Sequence, residues 1–357
     1  MKKVLKIVAC VLLALIVVVG AYVAYVFIAY HRIGDQTLTA EGRLDGAAPT
    51  DTDMTIVSWN VGFGAYESDY SFFMDEGTQS WAWSGERLDA NLDAIARVLA
   101  EEDADLYYIQ ELDIGSTRTY QRDERVPLWA ALPGERYAGA FCLNYESPFL
   151  MYPLTQPHGA SRSGLMTFSA HGMTSAARRE LPVETGFMKI VDLDRCYSVC
   201  RVPVEGGGEL VLYNFHLSAY TSDGNIATDQ LDMLIQDMRG EAEKGNWCLA
   251  GGDFNKDLLG NSAEVFGVTG EYNWSQPIAE GTFDDTGLRL IPPADNATPV
   301  PSCRYADAPY APGQFVTVVD GFIVTDNIAV KACEVIDTGF AYSDHNPVRM
   351  TFELKSN

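Results

Sequence analysis

The chain has 357 residues and a mass of 39.2 kDa, enough for one large domain with its own core. Hydrophobic residues make up 47% of it and its 31 glycines follow no period, which argues against disorder and against a repeat architecture. The chain has 25 Lys and Arg but 49 Asp and Glu, so its net charge is −24. Such a charge opposes broad electrostatic capture of nucleic acid unless metal ions supply positive charge.

The first 32 residues differ in composition from the rest. Residues 7–30 form an uninterrupted apolar and aromatic run, about 36 Å long as a helix and sufficient for a hydrocarbon core of about 30 Å. Lys2, Lys3 and Lys6 precede the run, which places the N-terminus in the cytoplasm. We therefore predict a single-pass signal-anchor in the cell membrane over residues 1–32, with the remainder extracytoplasmic. A cleavable signal peptide is the alternative, although its apolar core usually has only about 7–15 residues.

Six cysteines follow the anchor: Cys142, Cys196, Cys200, Cys248, Cys303 and Cys333. An even number outside the cytoplasm permits disulfides, but no Cys-x-x-Cys pair occurs. Cys196 and Cys200 fall in one expected strand, where four residues span about 13 Å, too far for a direct bridge. We expect buried free thiols, with the disulfide state left open.

The predicted elements follow in chain order. Residues 33–53 mix Gly, Ala, Asp and Thr without an apolar period and indicate a linker, so the folded domain is expected at 54–357. Helical spacing predicts one helix behind Ser84 and another that carries Leu231 and Leu234. Apolar runs predict strands at 55–61, 106–110, 165–169, 197–217 (a hairpin turning at the glycines 206–208), 247–250, 315–319, 321–324 and 348–352. Inserted loops are expected at 63–84, 113–160 and 260–314. Strands outnumber helices, which favours two packed sheets with helices outside them.

Polar side chains cluster where five of these strands end. The ends are Ser58-Trp-Asn60, Gln110-Glu111, Asn214-Phe-His216, Asp253-Phe-Asn255 and Ser343-Asp-His345. Taken singly, each is equally compatible with a turn, a solvated strand end or a core histidine, whereas the set together indicates a site. Asp320 lies inside an apolar run, where a buried lone carboxylate costs several kcal/mol, and it therefore requires a partner such as a histidine.

In this order, the motifs Trp-Asn, Gln-Glu, Asn-x-His-Leu, Gly-Asp-x-Asn, Asp-x-Phe and Ser-Asp-His-x-Pro-Val resemble those of the endonuclease/exonuclease/phosphatase superfamily. The resemblance covers residues 54–355. A histidine at position 216 is similar to the deoxyribonuclease- and sphingomyelinase-like branch and unlike the abasic-site endonucleases. The resemblance implies an α/β four-layer sandwich, in which two mixed β-sheets pack face to face, outer helices cover them and the site lies at one end.

The resemblance also implies the roles of particular residues. The expected ligands of Mg²⁺, or of Mn²⁺, are Asn60, Glu111 and Asp344. Proton transfer, water orientation and charge stabilisation are implied for His216, Asp253, Asn255, Asp320 and His345. Asn214 would bind phosphoryl oxygens and Arg162 could meet a phosphate. The resemblance leaves open whether Asp253 or His345 is the general base.

These observations predict a membrane-anchored, divalent-metal-dependent phosphodiesterase that acts outside the cytoplasm and implies no protein partner. Its phosphoester substrate is either a phospholipid or sphingolipid head group or a nucleic acid, as for an extracellular nuclease. Inositol polyphosphates are less favoured because no basic cluster exceeds Arg178-Arg179. The aromatic loop around residues 70–83 either dips into a bilayer or packs against the domain and covers the site. A non-catalytic binding module of the same fold remains the alternative from another class.

Overall fold

A computed structural model describes residues 1–183, 194–219, 225–269 and 275–356. Its helices are α1 (Lys2–Ala29), α2 (Gly85–Glu102), α3 (Arg125–Ala131), α4 (Asn225–Ala242) and α5 (Ser262–Phe266). Its strands are β1 (Gln36–Leu38), β2 (Ala40–Gly42), β3 (Met54–Asn60), β4 (Leu106–Asp113), β5 (Ala138–Leu150), β6 (Gly159–Ser169), β7 (Ser175–Glu180), β8 (Cys196–Pro203), β9 (Glu209–His216), β10 (Trp247–Asp253), β11 (Leu288–Ile291), β12 (Cys303–Arg304), β13 (Val316–Thr317), β14 (Asp320–Thr325), β15 (Ile328–Val335) and β16 (Val348–Leu354).

The strands form two seven-stranded mixed sheets. The first sheet has the order β1-β7-β8-β9-β10-β14-β11, the second sheet has the order β15-β16-β3-β4-β6-β5-β2, and β12 pairs with β13 alone. Helix α4 covers the outer face of the first sheet and α2 covers that of the second. The predicted four-layer sandwich, preceded by an apolar helix, is confirmed.

The main core lies between the sheets, and both faces of each central strand are buried. In β3, Ile56 contacts the inter-sheet core while Val57 packs outward among residues of α2. Strands with two buried faces are nearly continuous apolar runs, which explains why the sequence marks them clearly. Tyr108 in the second sheet donates its hydroxyl to Leu249 O in the first, at 2.8 Å.

Parallel pairing fixes where the site forms. Strand β3 pairs in parallel with β4, and β9 pairs in parallel with β10. The carboxyl ends of parallel neighbours lie at the same edge of a sheet. The polar residues that end these four strands are therefore gathered at one end of the sandwich.

Helix α2 begins as its sequence predicts. Ser84 is the N-cap and its Oγ accepts a hydrogen bond from the Arg87 amide at 3.1 Å, which satisfies one of the free N–H groups of the first turn. The face that carries Leu88, Leu92 and Leu99 is buried.

The expected linker and two of the expected loops contain regular structure. Within the predicted linker 33–53, β1 pairs with β7 and β2 pairs with β5. These three-residue edge strands lack apolar alternation, so the sequence gives no strand signal for them. Within the predicted loop 113–160 lie α3 and the 13-residue β5, and within the predicted loop 260–314 lie α5, β11 and β12. The domain thus begins to pair its strands before residue 54.

Helix α1 has the length and apolar composition expected of the N-terminal segment. Among the described residues, α1 alone is long and apolar enough to cross a membrane, with a mean hydropathy that reaches 3.0. Those properties suit a membrane span and a signal sequence equally.

All seven cysteines are free thiols, six of them buried, and Sγ of Cys142 lies 3.5 Å from Sγ of Cys196.

Candidate active site

A pocket of about 230 Å³ opens at the end of the sandwich where the polar strand ends meet. Six of the side chains expected to form a site line this pocket: Glu111, His216, Asp253, Asn255, Asp344 and His345. A second cavity of about 360 Å³ lies against the outer face of the first sheet beside α4. Its Arg179 and Arg201 are paired with Asp237 and Glu241, so that cavity offers no comparable group of free catalytic side chains.

Unusual backbone conformations turn two of these side chains into the pocket. The pairing of β4 with β6 shifts register between Ile109 and Leu112, and Glu111 has a φ of 55°. Asn255 follows β10 with a φ of 50°. Non-glycine residues adopt positive φ rarely, and such residues concentrate at functional sites.

The glycine before Asp253 is required by the close approach of a neighbouring strand. Gly252 has a φ of 144°, and a Cβ there would lie 2.0 Å from Phe215 O. Only glycine fits this position. The Gly-Asp pair therefore sets Asp253 directly beside His216, its register partner on β9.

Asn60 links two of the carboxylates. Its Nδ2 donates to Oε1 of Glu111 and to Oδ2 of Asp253, each at 3.1 Å. Its Oδ1 accepts the Gly62 amide at 3.0 Å, which fixes the amide orientation. Asn60 therefore bridges the predicted metal ligand Glu111 and the predicted catalytic Asp253.

Asp320 and His345 form the buried pair that the sequence predicts. Oδ2 of Asp320 lies 2.8 Å from Nδ1 of His345 and accepts the Ser302 hydroxyl at 2.7 Å. Burial opposes protonation of His345, but Asp320, with Cys303 and Asp253, outweighs it and holds the pKa of His345 well above its usual value. The raised pKa favours the protonated imidazole of His345, whose Nε2 lies 3.6 Å from Oδ2 of Asp253.

His216 has the opposite electrostatic character. Burial, Arg195 and His345 together hold the pKa of His216 well below its usual value, so its imidazole is neutral. Its Nε2 lies 3.5 Å from Oδ2 of Asp253 and its Nδ1 lies 3.8 Å from Oε1 of Glu111. Among the described residues, the buried Nδ1 has no hydrogen-bond partner. Buried polar atoms normally have a hydrogen-bond partner. Because this nitrogen lies on the pocket wall, a bound ligand would supply the missing hydrogen bond.

The carboxylates of the pocket fit a divalent cation. Burial raises the pKa of Asp344 to about 6, and the nearby Glu111 carboxylate adds to the rise. Within the described chain, neither of these two carboxylates has a lysine or arginine nitrogen within 4 Å. Hard carboxylate oxygens are the ligands that Mg²⁺ prefers. A cation held by these carboxylates would offset the electrostatic cost of burying Asp344 in its ionised form.

Asp253, Asp320 and His345 also place ligand atoms within 4.8 Å of one another. Oδ2 of Asp320 already accepts hydrogen bonds from His345 and Ser302, whereas its buried Oδ1 has no hydrogen-bond partner among the described residues. These hydrogen bonds suit a proton-transfer pair better than a metal site. Burial, with a further contribution from Asp320, raises the pKa of Asp253 to about 7 against the opposing effect of His345.

The structure places the expected substrate-binding residues Asn214 and Arg162 away from the lining of this pocket. Asn214 is completely buried, accepts a hydrogen bond from Gln110 at 2.8 Å and donates to Met166 O at 3.0 Å. It joins the two sheets and does not reach the pocket. The Arg162 guanidinium lies outside the pocket, 3.4 Å from Glu146.

Three arginines that sequence reasoning missed line the pocket instead: Arg118, Arg195 and Arg304. Arg118 forms two hydrogen bonds to Asp113, at 2.8 and 2.9 Å, and lies 3.7 Å from the ring centroid of Phe63. Arg304 donates to three carbonyls of the loop after β3, among them Tyr70 O at 3.2 Å. No local motif marks these arginines as pocket residues, because Phe63 beneath Arg118 and the three carbonyls bound by Arg304 are distant from them in sequence.

The sequence of this chain matches the model of the endonuclease/exonuclease/phosphatase family over residues 57–345. The chain belongs to this family. Family membership supports phosphoester hydrolysis at the level of the family, with general dependence on divalent metals. The match does not single out a branch. No curated protein matches the chain.

Solved structures of the family share the fold. An endonuclease/exonuclease/phosphatase protein from Beutenbergia cavernae has a TM-score of 0.57 at 18% identity, covering 85% of this chain and 72% of its own. One from Bacteroides vulgatus has a TM-score of 0.53 at 15% identity, covering 85% and 100%. The human Nocturnin catalytic domain, with a bound sulfate anion, has a TM-score of 0.52 at 14% identity, covering 89% and 98%. At these identities the likeness concerns the fold alone.

Proposed function

We propose that this protein is a membrane-anchored, divalent-metal-dependent phosphodiesterase that acts outside the cytoplasm. The observation that carries the proposal is the buried Asp320–His345 pair at 2.8 Å, which faces Asp253 across the same pocket. Hydrolysis by an activated water requires an acid and a base. Here Asp320 raises the pKa of His345 against the opposing effect of burial, and burial raises the pKa of Asp253 to about 7. The anchor is the apolar helix α1.

Each pocket residue has a role in this proposal. His345, oriented through Nδ1 by Asp320, presents Nε2 and gives its proton to the leaving oxygen. Asp253 accepts the proton of the attacking water, and the backbone amide of Asn255, which donates to Oδ1 of Asp253 at 2.8 Å, keeps the carboxylate in place. His216, through its free Nδ1, and Arg118 or Arg195 stabilise charge on the phosphoryl oxygens.

Glu111 and Asp344 would hold Mg²⁺ or Mn²⁺, with Asn60 orienting Glu111. When bound, the ion would polarise a phosphoryl oxygen and neutralise developing charge. Because Nδ2 of Asn60 faces Glu111 and Asp253 while Oδ1 accepts the Gly62 amide, Asn60 is better suited to positioning than to direct ligation.

The activity is tested with the full chain in detergent, stripped with EDTA and supplied with Mg²⁺ or Mn²⁺, against bis-p-nitrophenyl phosphate. Glu111→Gln, Asp253→Asn and His345→Ala are each expected to lower turnover by at least about 100-fold, the range of acid–base and charge stabilisation. The matched control is Asp89→Asn, because Asp89 lies on α2 and forms an exposed ion pair with Arg122. Full activity in all three variants would exclude this pocket as the catalytic site, and absence of metal-stimulated turnover in the wild type would favour the binding module.

The location is tested separately. Protease added to intact cells is expected to remove the folded domain while leaving the membrane segment. Release of an intact domain into the medium would instead identify residues 1–32 as a cleaved signal. Protection until the cells are lysed would place the domain in the cytoplasm.

A further inference from the structure

Exposed apolar side chains surround one side of the pocket mouth. They belong to two neighbouring loops and together form what we call the apolar rim: Met74, Phe149, Met151, Tyr152 and Leu154. Tyr152 is 70% and Leu154 81% exposed. The two loops touch, because the rings of Phe73 and Tyr152 lie 5.8 Å apart. A group of neighbouring, exposed, large apolar side chains marks an interaction surface.

The end of helix α1 binds the same loop. The Phe149 amide donates to the Tyr25 hydroxyl and the Met151 amide donates to the Tyr22 hydroxyl, both at 3.0 Å. The Tyr22 hydroxyl in turn donates to Phe149 O at 3.3 Å. The tip of the β5–β6 hairpin thus has backbone groups satisfied by the helix while its side chains remain exposed.

The position of the two tyrosines along α1 sets the depth of the apolar rim. From Lys6 to Tyr25 the helix rises about 28 Å, close to the hydrocarbon thickness of about 30 Å. With Lys6 at one interface, Tyr22 and Tyr25 therefore reach the opposite interface, where tyrosines are enriched. The hairpin tip that they hold must lie at the same level, against the bilayer surface.

The pocket opens beside this surface. Phe72, Met74 and Leu150 line it together with the catalytic side chains, and they come from the same two loops as the apolar rim. Part of the predicted aromatic loop is packed, since Tyr70 and Phe72 are buried with Phe63. The loop therefore shapes the pocket wall, and Met74 at its end reaches the exposed rim.

We infer that the apolar rim docks on the outer surface of the bilayer that holds α1 and that the pocket takes the phosphodiester of a phospholipid or sphingolipid head group. The bilayer is the occupant because the helix that would cross it is hydrogen-bonded to the rim. The part beyond the anchor contains all 49 acidic residues and would be repelled by anionic lipid. A zwitterionic surface is therefore the preferred partner. The substrate assignment rests on the proposed phosphodiesterase activity, whereas the docking surface does not.

The docking surface is tested without any activity. Full-length Leu154→Cys protein, in a Cys10→Ser background that leaves the other cysteines buried, is labelled with a nitrobenzoxadiazole fluorophore and placed in phosphatidylcholine nanodiscs. Leu44→Cys is the matched control, because exposed Leu44 follows β2 at the opposite end of β5, about 40 Å from the tip. The label at 154 is expected to resist reduction by aqueous dithionite at least tenfold longer than the label at 44. Equal rates would overturn the docking surface.

The substrate assignment is tested in proteoliposomes that contain sphingomyelin and phosphatidylcholine. Tyr152→Glu/Leu154→Glu is expected to lower the ratio of lipid hydrolysis to bis-p-nitrophenyl phosphate hydrolysis at least tenfold, and Leu44→Glu is expected to keep the wild-type ratio. Cleavage of the soluble diester or of DNA without cleavage of either lipid would overturn the lipid assignment and leave the phosphodiesterase standing. Failure to cleave any of them would remove the activity itself, and with it the lipid assignment, while the label at 154 still decides the docking surface.

Discussion

Nδ1 of His345 lies 2.8 Å from Oδ2 of Asp320, and both side chains are buried. Because the carboxylate also accepts the Ser302 hydroxyl, it has a fixed orientation. His345 therefore keeps Nδ1 for Asp320, while its Nε2 faces the pocket wall, 3.5 Å from Sγ of Cys303.

Replacing Asp320 with asparagine is expected to lower kcat by about 100- to 10,000-fold with little change in KM, because the amide neither fixes the tautomer nor stabilises the imidazolium. Steady-state kinetics on bis-p-nitrophenyl phosphate measures the effect. Asp326→Asn is the control, since this exposed carboxylate directly follows the same strand, β14. A change in KM alone would show that Asp320 acts on substrate binding.

Metal binding is expected to stabilise the protein independently of turnover. A cation at 100 times its Kd adds about 2.7 kcal/mol to the free energy of unfolding, or roughly 5 °C in the midpoint of thermal unfolding. Glu111→Gln is expected to abolish this shift, and Asp89→Asn to preserve it. Scanning calorimetry with EDTA or Mg²⁺ provides the measurement. A shift of equal size in Glu111→Gln would place the metal elsewhere.

His158 is expected to make the fold less stable at acid pH. Burial, with repulsion from Arg118, lowers the pKa of His158 to about 4. Between pH 6.5 and 4 the unfolded chain therefore binds a proton that the folded chain does not, so stability falls as the pH falls through this window, by at most about 3 kcal/mol.

Urea unfolding at pH 7 and pH 5 measures this loss. His158→Gln is expected to show a smaller difference between the two midpoints than the wild type, because the amide can keep the hydrogen bond to Ser80 O without titrating. His31→Gln, at a half-exposed histidine, is the control. An unchanged difference in His158→Gln would assign the pH dependence to other groups.

Arg118 and Asp113 are expected to stabilise the pocket wall as a unit. Arg118→Met leaves the buried Asp113 carboxylate without its partner, which costs about 3–5 kcal/mol of unfolding free energy. Arg122→Met removes a similar two-bond pair with Asp89 in an exposed setting and is expected to cause no measurable change. The double variant Arg118→Met/Asp113→Leu should recover most of the loss. Equal midpoints for the two single variants would contradict the assignment.

The parts of the fold that the sequence predicts are those with two buried faces. Strands β3, β4, β9 and β10 have apolar runs that end abruptly in polar residues, and the buried Asp320 requires a partner that proves to be His345. The edge strands β1 and β2 are too short to carry a period. Arg118 and Arg304 escape prediction for another reason: burial of an arginine depends on partners that only the tertiary structure reveals.

The first and last parts of the domain meet at the site. Trp59 Nε1 donates to His345 O at 2.8 Å, across 286 residues, and the Ser343 hydroxyl donates to Asn60 O at 2.8 Å. Strand β16 then inserts between β3 and β15. During synthesis, all of the chain from β3 to β15 leaves the ribosome before β3 acquires this neighbour. The proposed activity therefore requires β16 to have been synthesised, and loss of β16 would both disconnect β15 and leave β3 as an open edge.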